Sequence, residues 1–244
     1  MTIAENLARL EERIQAACAR AGRRRDEVLL VAVAKTRPAA AIEEAIRAGV
    51  RAVGENRVQE AAAKKPLVTS PAEWHLVGHL QTNKAGKALA LFSIIQSVDS
   101  AHLAGELERR CEQAGTRTKV MLEVNTSGEA SKFGVAPEAL PSLAQAVLKL
   151  GRLELAGLMT IGPGLAVTDP ELSRPCFRAL ARLAAGLRRE LGIPLPHLSM
   201  GMSSDFEQGI EEGATVIRVG TAIFGSRAGH DPFPSAEMGP CPKP

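Results

Sequence analysis
Lys35 is the first residue in the chain whose type and setting point to chemistry. It follows segment 28–34, an unbroken apolar run of the kind that forms a strand buried on both faces. An ammonium at the end of such a strand is partly desolvated, which lowers its pKa and exposes the free amine that condenses with an aldehyde. Two plainer roles stay open: a lysine snorkelling off the strand end, or an ion pair with Glu55. Near the other end of the chain, Leu198-Ser-Met-Gly-Met-Ser-Ser-Asp205 and Val219-Gly-Thr-Ala-Ile-Phe-Gly225 place glycines and hydroxyls at two successive strand-to-helix junctions. Such junctions leave backbone N–H groups open to an anion, so a phosphate is expected there. The alternative is that Gly201 and Gly220 allow tight turns while Ser203 and Ser204 cap helices. Between the two motifs, Arg218 sits inside an apolar strand, where its charge requires a partner. It faces either a ring nitrogen inside or a helix carboxylate outside.

Other candidates carry less. His75 and His79 are spaced i, i+4, but Gly78 and a strand-to-loop change lie between them, so they read as pocket-lining or structural and not as a metal pair. Cys18, Cys111, Cys176 and Cys241 form no CxxC pair, which points to thiols without a zinc site. The chain has no tyrosine, which removes any tyrosyl acid or base.

These residues need a scaffold, and the pattern of the chain supplies one. A surface helix opens it, with Leu7, Leu10, Ile14 and Ala17 at helical spacing and Thr2 and Glu5 in the form of a capping box. Strands are then expected at 28–34, 51–54, 75–78, 93–97, 119–125, 153–160, 197–200 and 215–220. Amphipathic stretches alternate with them, the signature of parallel βα units. Pro38, Pro137, Asp169-Pro170 and Thr82 mark helix starts, and Pro175 should kink or split the helix around it. Eight strands, seven intervening helices and an opening helix predict a single α/β domain, a (β/α)8 TIM barrel over 1–227, with a flexible tail over 228–244. In a closed barrel the first and eighth strands are neighbours, so Lys35 and the phosphate loops meet.

Length and composition agree. At 244 residues, 45% apolar and 23% charged, with a net charge of +3, the chain has material for one barrel. No apolar run is long enough to cross a membrane, and Glu5 and Arg9 interrupt the segment where a signal peptide would lie, so a cytoplasmic location is expected. Basic residues are interleaved with acids except at Arg23, Arg24 and Arg25, expected to be a solvated helix end, and 3% aromatic content argues against nucleic acid.

Six segments sharpen the reading: Val33-Ala-Lys-Thr-Arg37, Gly54-Glu-Asn-Arg-Val-Gln-Glu60, Trp74-His-Leu-Val-Gly-His-Leu-Gln-Thr-Asn-Lys84, Glu123-Val-Asn-Thr-Ser-Gly128, Gly157-Leu-Met-Thr-Ile-Gly162 and Leu198-Ser-Met-Gly-Met-Ser203. In order and spacing they closely resemble the YggS/PROSC family of pyridoxal 5'-phosphate (PLP) homeostasis proteins, which are similar to the barrel domain of alanine racemase. The resemblance runs from the first helix to about Arg227. It implies that Lys35 holds PLP as a Schiff base, that Arg218 lies against the pyridine nitrogen, that Ser203, Gly220 and Thr221 hold the phosphate, and that Asn56 is near the cofactor. It also implies a non-enzymatic role in vitamin B6 balance, with PLP-dependent apo-enzymes as recipients; a monomer is expected. An arginine at the ring nitrogen leaves it unprotonated and weakens the electron sink on which carbanion chemistry depends. The alternatives are a PLP-dependent racemase or decarboxylase, a sugar-phosphate aldolase, and an interaction module.

Overall fold
The computed structural model describes residues 1–225, and within them eight parallel strands close into a barrel in sequence order. The strands are β1 (Leu29–Val33), β2 (Ala52–Glu55), β3 (Glu73–Leu76), β4 (Ile94–Val98), β5 (Thr118–Glu123), β6 (Leu153–Met159), β7 (His197–Ser199) and β8 (Val216–Val219). The helices are α1 (Ile3–Arg20), α2 (Ala39–Arg47), α3 (Val58–Lys64), α4 (Ala85–Leu91), α5 (Ala101–Ala114), α6 (Leu140–Leu148), α7 (Arg174–Leu191), α8 (Phe206–Glu211) and α9 (Thr221–Phe224). β8 pairs with β1, Val31 opposite Arg218 and Ala32 opposite Val219, which closes the ring and sets the two ends of the chain side by side. The (β/α)8 expectation holds.

Successive strand residues face opposite sides, so the barrel has two cores. Val31, Ala52, Ile94, Met121, Met159 and Val216 pack together inside the ring. Their sequence neighbours, such as Ala32, Val53, Ile95, Val120 and Ile217, join the larger layer that includes Leu107, Val147 and Phe177 of the helices. The opening helix α1 has both halves of its capping box: Thr2 Oγ1 accepts from the Glu5 amide at 3.2 Å and Glu5 Oε2 from the Thr2 amide at 2.9 Å. Its Leu7, Leu10, Ile14 and Ala17 are buried, and it packs against α8 and α9.

Several local expectations change. β3 starts two residues earlier than read, because Ala52 of β2 pairs with Glu73 and draws that charged residue into the ladder. Thr82 is the first residue of a 3-10 turn (Thr82–Lys84) and caps nothing; Gln81 precedes that turn. Pro175 does split its segment, into a 3-10 turn (Pro170–Ser173) capped by Asp169 and then α7, with the proline in the first helical turn. The arginine triplet is not a simple solvated end: Arg23 donates to the carbonyls of Ile210 and Ala214 at 3.0 and 2.7 Å, and Arg25 pairs with Glu11 at 2.7 Å. Among the described residues Cys18, Cys111 and Cys176 are buried free thiols, and no helix is long and apolar enough to cross a membrane. The expected tail at 228–244 lies outside the described residues.

Candidate functional site
The carboxyl end of β1 turns sharply. Ala34 keeps the ladder going by donating to Gly54 O at 2.9 Å, and Lys35 follows in a half-buried turn beside β2 and β8. The next residue, Thr36, has φ 64°, a left-handed conformation that costs a β-branched residue about 1–3 kcal/mol. A buried ionic cluster holds it there. Lys64 Nζ donates to Ala34 O at 2.9 Å, Glu55 Oε1 at 2.8 Å and Glu60 Oε2 at 2.7 Å, and Glu60 Oε2 also accepts from the Thr36 amide at 2.7 Å. All three side chains are buried. Burial pushes the Glu55 carboxyl up to about 7 against the opposing pull of Lys64, with the Glu60 charge adding to the rise, and Glu55 Oε2 has no hydrogen-bond partner. Glu55 is thus a partner of Lys64 in that cluster.

Arg218 points inward. It is 4% exposed, Nη1 donating to Ser199 Oγ at 2.6 Å and Nη2 to Thr160 O at 2.8 Å. Burial lowers its pKa to about 10 while Glu123 and Asp205 oppose the fall, so it stays charged at neutral pH. The outward alternative, pairing with a helix carboxylate, is therefore excluded. Glu123, at the end of β5, is buried with Oε2 unpartnered. Its carboxyl is pushed up to about 7, first by desolvation and then by Asp99, against Arg218 and His79.

The two glycine-hydroxyl loops meet beside β1. A Cβ on Gly220 would come within 2.9 Å of Val33 O, so only glycine lets the start of α9 approach the end of β1 so closely. Gly201 has φ 91°, and a Cβ there would lie 2.8 Å from Phe206 Cα. Ser203 Oγ accepts from the amides of Gly220 at 3.2 Å and Ala222 at 3.4 Å. The amides expected to be open to an anion are therefore engaged by the Ser203 hydroxyl. Thr221 is exposed at the first position of α9. Asn56, directly after β2, is half-buried at the same end of the barrel, its backbone packed where a Gly78 side chain would otherwise stand.

The fold thus gathers Lys35, Asn56, Ser203, Arg218, Gly220 and Thr221 at one end of the barrel. The histidines separate: His75 points inward to Gln96, Nδ1 to Nε2 at 2.8 Å, whereas His79 stacks on Phe133 with ring centroids 3.9 Å apart. Among the described residues no group of His, Cys, Asp or Glu side chains is placed to hold a metal. The sequence reading missed Ser199, Thr160, Gln96, Glu123, Glu60 and Lys64. The signals were present, since Gln96 and Glu123 interrupt apolar strands and Glu60 and Lys64 are spaced i, i+4, but such spacing ordinarily marks a solvated helix face.

The family model described as alanine racemase, N-terminal domain, matches residues 6–228. The pyridoxal phosphate homeostasis protein of Aquifex aeolicus is 45% identical over 228 residues, covering 93% of this chain and 99% of the relative. PipY of Synechococcus elongatus, solved with PLP bound, is 39% identical with a TM-score of 0.79, covering 92% of this chain and 100% of that one. An alanine racemase of Clostridium difficile shares the fold alone, with a TM-score of 0.74 at 14% identity over 95% of this chain and 58% of that one. The match across nearly the full length of such a relative, together with the family model over residues 6–228, shows that the chain belongs to the family of pyridoxal phosphate homeostasis proteins.

Proposed function
We propose that the chain binds PLP at the carboxyl end of the barrel and holds it for PLP-dependent apo-enzymes without turnover of its own. Lys35 engages the aldehyde, Arg218 the ring nitrogen, and Ser203, Gly220 and Thr221 the phosphate, with Asn56 alongside. The β8–β1 register carries this reading: Val31 opposite Arg218 sets a buried cation next to the strand that leads into the Lys35 turn, beside an approach that only glycine permits. The residues fit the group. Ser199 and Thr160 take one N–H from each terminal nitrogen of Arg218, so the five-donor guanidinium has a further N–H for a ring acceptor. Ser203 Oγ accepts from the Gly220 and Ala222 amides and keeps its own proton to donate to an anion. The PLP-bound PipY supports the choice of ligand.

When bound, PLP supplies an aldehyde that a lysine amine takes up as a Schiff base, and a ring whose pull on electrons follows the protonation of its nitrogen. Arg218, charged and unable to accept a proton, keeps that nitrogen unprotonated. The chain has no tyrosine to serve as a second base. Glu123 favours a second reading, a racemase or decarboxylase, because a buried carboxyl titrating near 7 can hold a proton at neutral pH.

Two measurements decide. Borohydride reduction followed by digestion and mass spectrometry is expected to place the pyridoxyl group on Lys35, and Lys35→Ala to abolish the visible band while leaving the fold intact. A pyridoxyl group on Lys84 or Lys132 refutes the assignment. Rapid exchange of an amino acid's α-hydrogen in deuterated water by the PLP-loaded protein establishes the second reading.

A further inference from the structure
Arg218 is the first member of a chain of buried polar groups that crosses the barrel interior. Its Nη1 meets Ser199 Oγ at 2.6 Å, Ser199 Oγ meets Gln96 Oε1 at 2.6 Å, Gln96 Nε2 meets His75 Nδ1 at 2.8 Å, and His75 Nε2 faces Glu73 Oε2 at 3.4 Å. Ser199, Gln96 and His75 are all fully buried. Glu73 ends the chain on the opposite side of the barrel from Lys35, beside a cavity of about 300 Å³ lined also by Arg51, Lys119 and His197.

The polarity of this chain follows from its first member. A guanidinium has no acceptor, so Ser199 Oγ accepts from Arg218 and must send its single proton onward to Gln96 Oε1. The amide of Gln96 is then oriented with its NH2 toward His75. Nδ1 of His75 must therefore be unprotonated, and its ring proton sits on Nε2, aimed at the Glu73 carboxylate. Each group has one orientation that satisfies both neighbours, and among buried groups an unsatisfied partner costs most.

We propose that Ser199, Gln96 and His75 are positioning residues for Arg218: through one unidirectional chain of hydrogen bonds they fix the guanidinium in the orientation that meets the ring nitrogen of PLP. This rests on the reading that Arg218 faces that nitrogen. The second anchor, Thr160 O, holds the other terminal nitrogen but leaves the guanidinium free to pivot about a single bond.

The test compares PLP with a carbocyclic analogue that carries CH in place of the ring nitrogen. Ser199→Ala is expected to weaken PLP about tenfold, the cost of one hydrogen bond to a charged group, with no change for the analogue. Ser199→Thr, which keeps the hydroxyl, restores PLP affinity. Nitrogen NMR of the His75 ring in the cofactor-free protein is expected to show Nδ1 as acceptor and Nε2 protonated. In Gln96→Glu, whose carboxylate accepts from both sides, a proton moves onto Nδ1. Equal losses for PLP and the analogue in Ser199→Ala, no loss for either, or a proton on Nδ1 in the wild type would each overturn the proposal. A wild type that binds both aldehydes equally instead refutes the Arg218–nitrogen contact itself.

Discussion
Replacing Glu55 by glutamine tests the ionic cluster under the Lys35 turn. The Glu55 carboxyl is pushed up to about 7 in the folded protein from its ordinary 4.5, chiefly because it is buried. A group whose neutral form is favoured by folding binds more protons folded than unfolded, so its contribution to stability falls as pH rises from about 4.5 to about 7 and is level above that. Two and a half decades of proton affinity amount to about 3 kcal/mol. Glutamine cannot ionise, yet it keeps the oxygen that accepts from Lys64 Nζ at 2.8 Å. Glu55→Gln is therefore expected to match the wild type near pH 4.5 and to exceed it by up to about 3 kcal/mol at pH 8. Urea unfolding at the two pH values reads this as a midpoint shift of about 1 M at pH 8 for a slope of about 3 kcal/mol/M. A variant less stable than the wild type at pH 8 would refute the reasoning, because it would mean that an ionised Glu55 stabilises the fold through Lys64 by more than its burial costs.

On the proposed reading, Ser203→Ala and Thr221→Ala would each delete one donor to the phosphate, and equilibrium titration should then show PLP weakened about ten- to a hundredfold, with unphosphorylated pyridoxal nearly unaffected. Gly220→Ala places a methyl group 2.9 Å from Val33 O, a backbone atom that cannot move aside cheaply. It should cost about 1–3 kcal/mol in urea unfolding and weaken PLP as well, and an unchanged midpoint would show that the β1–α9 approach is slack.

The eight strands, the opening helix and its capping box were legible because each is a local pattern. Alternation and apolar runs mark strands, and Thr2 with Glu5 specifies a helix start within four residues. Lys35 and the glycine-hydroxyl junctions stood out for the same reason, as polar residues placed directly after apolar segments. β3 was misplaced because Glu73 looks like a loop residue until its pairing with Ala52 is known.

The count and order of the strands, and the polar residues that follow them, could be read from the chain alone, since these depend on neighbours a few positions away; the short α9 after β8 could not. Partners came from the folded chain. Lys64 pairs with Glu55, Ser203 reaches across to the amides of Gly220 and Ala222, and Arg218 turns inward onto Ser199 and Thr160. These pairs join residues up to 58 positions apart. Their choice follows from closure of the ring, which buries the polar groups together and leaves each with only the partners that the strand register brings within hydrogen-bond reach.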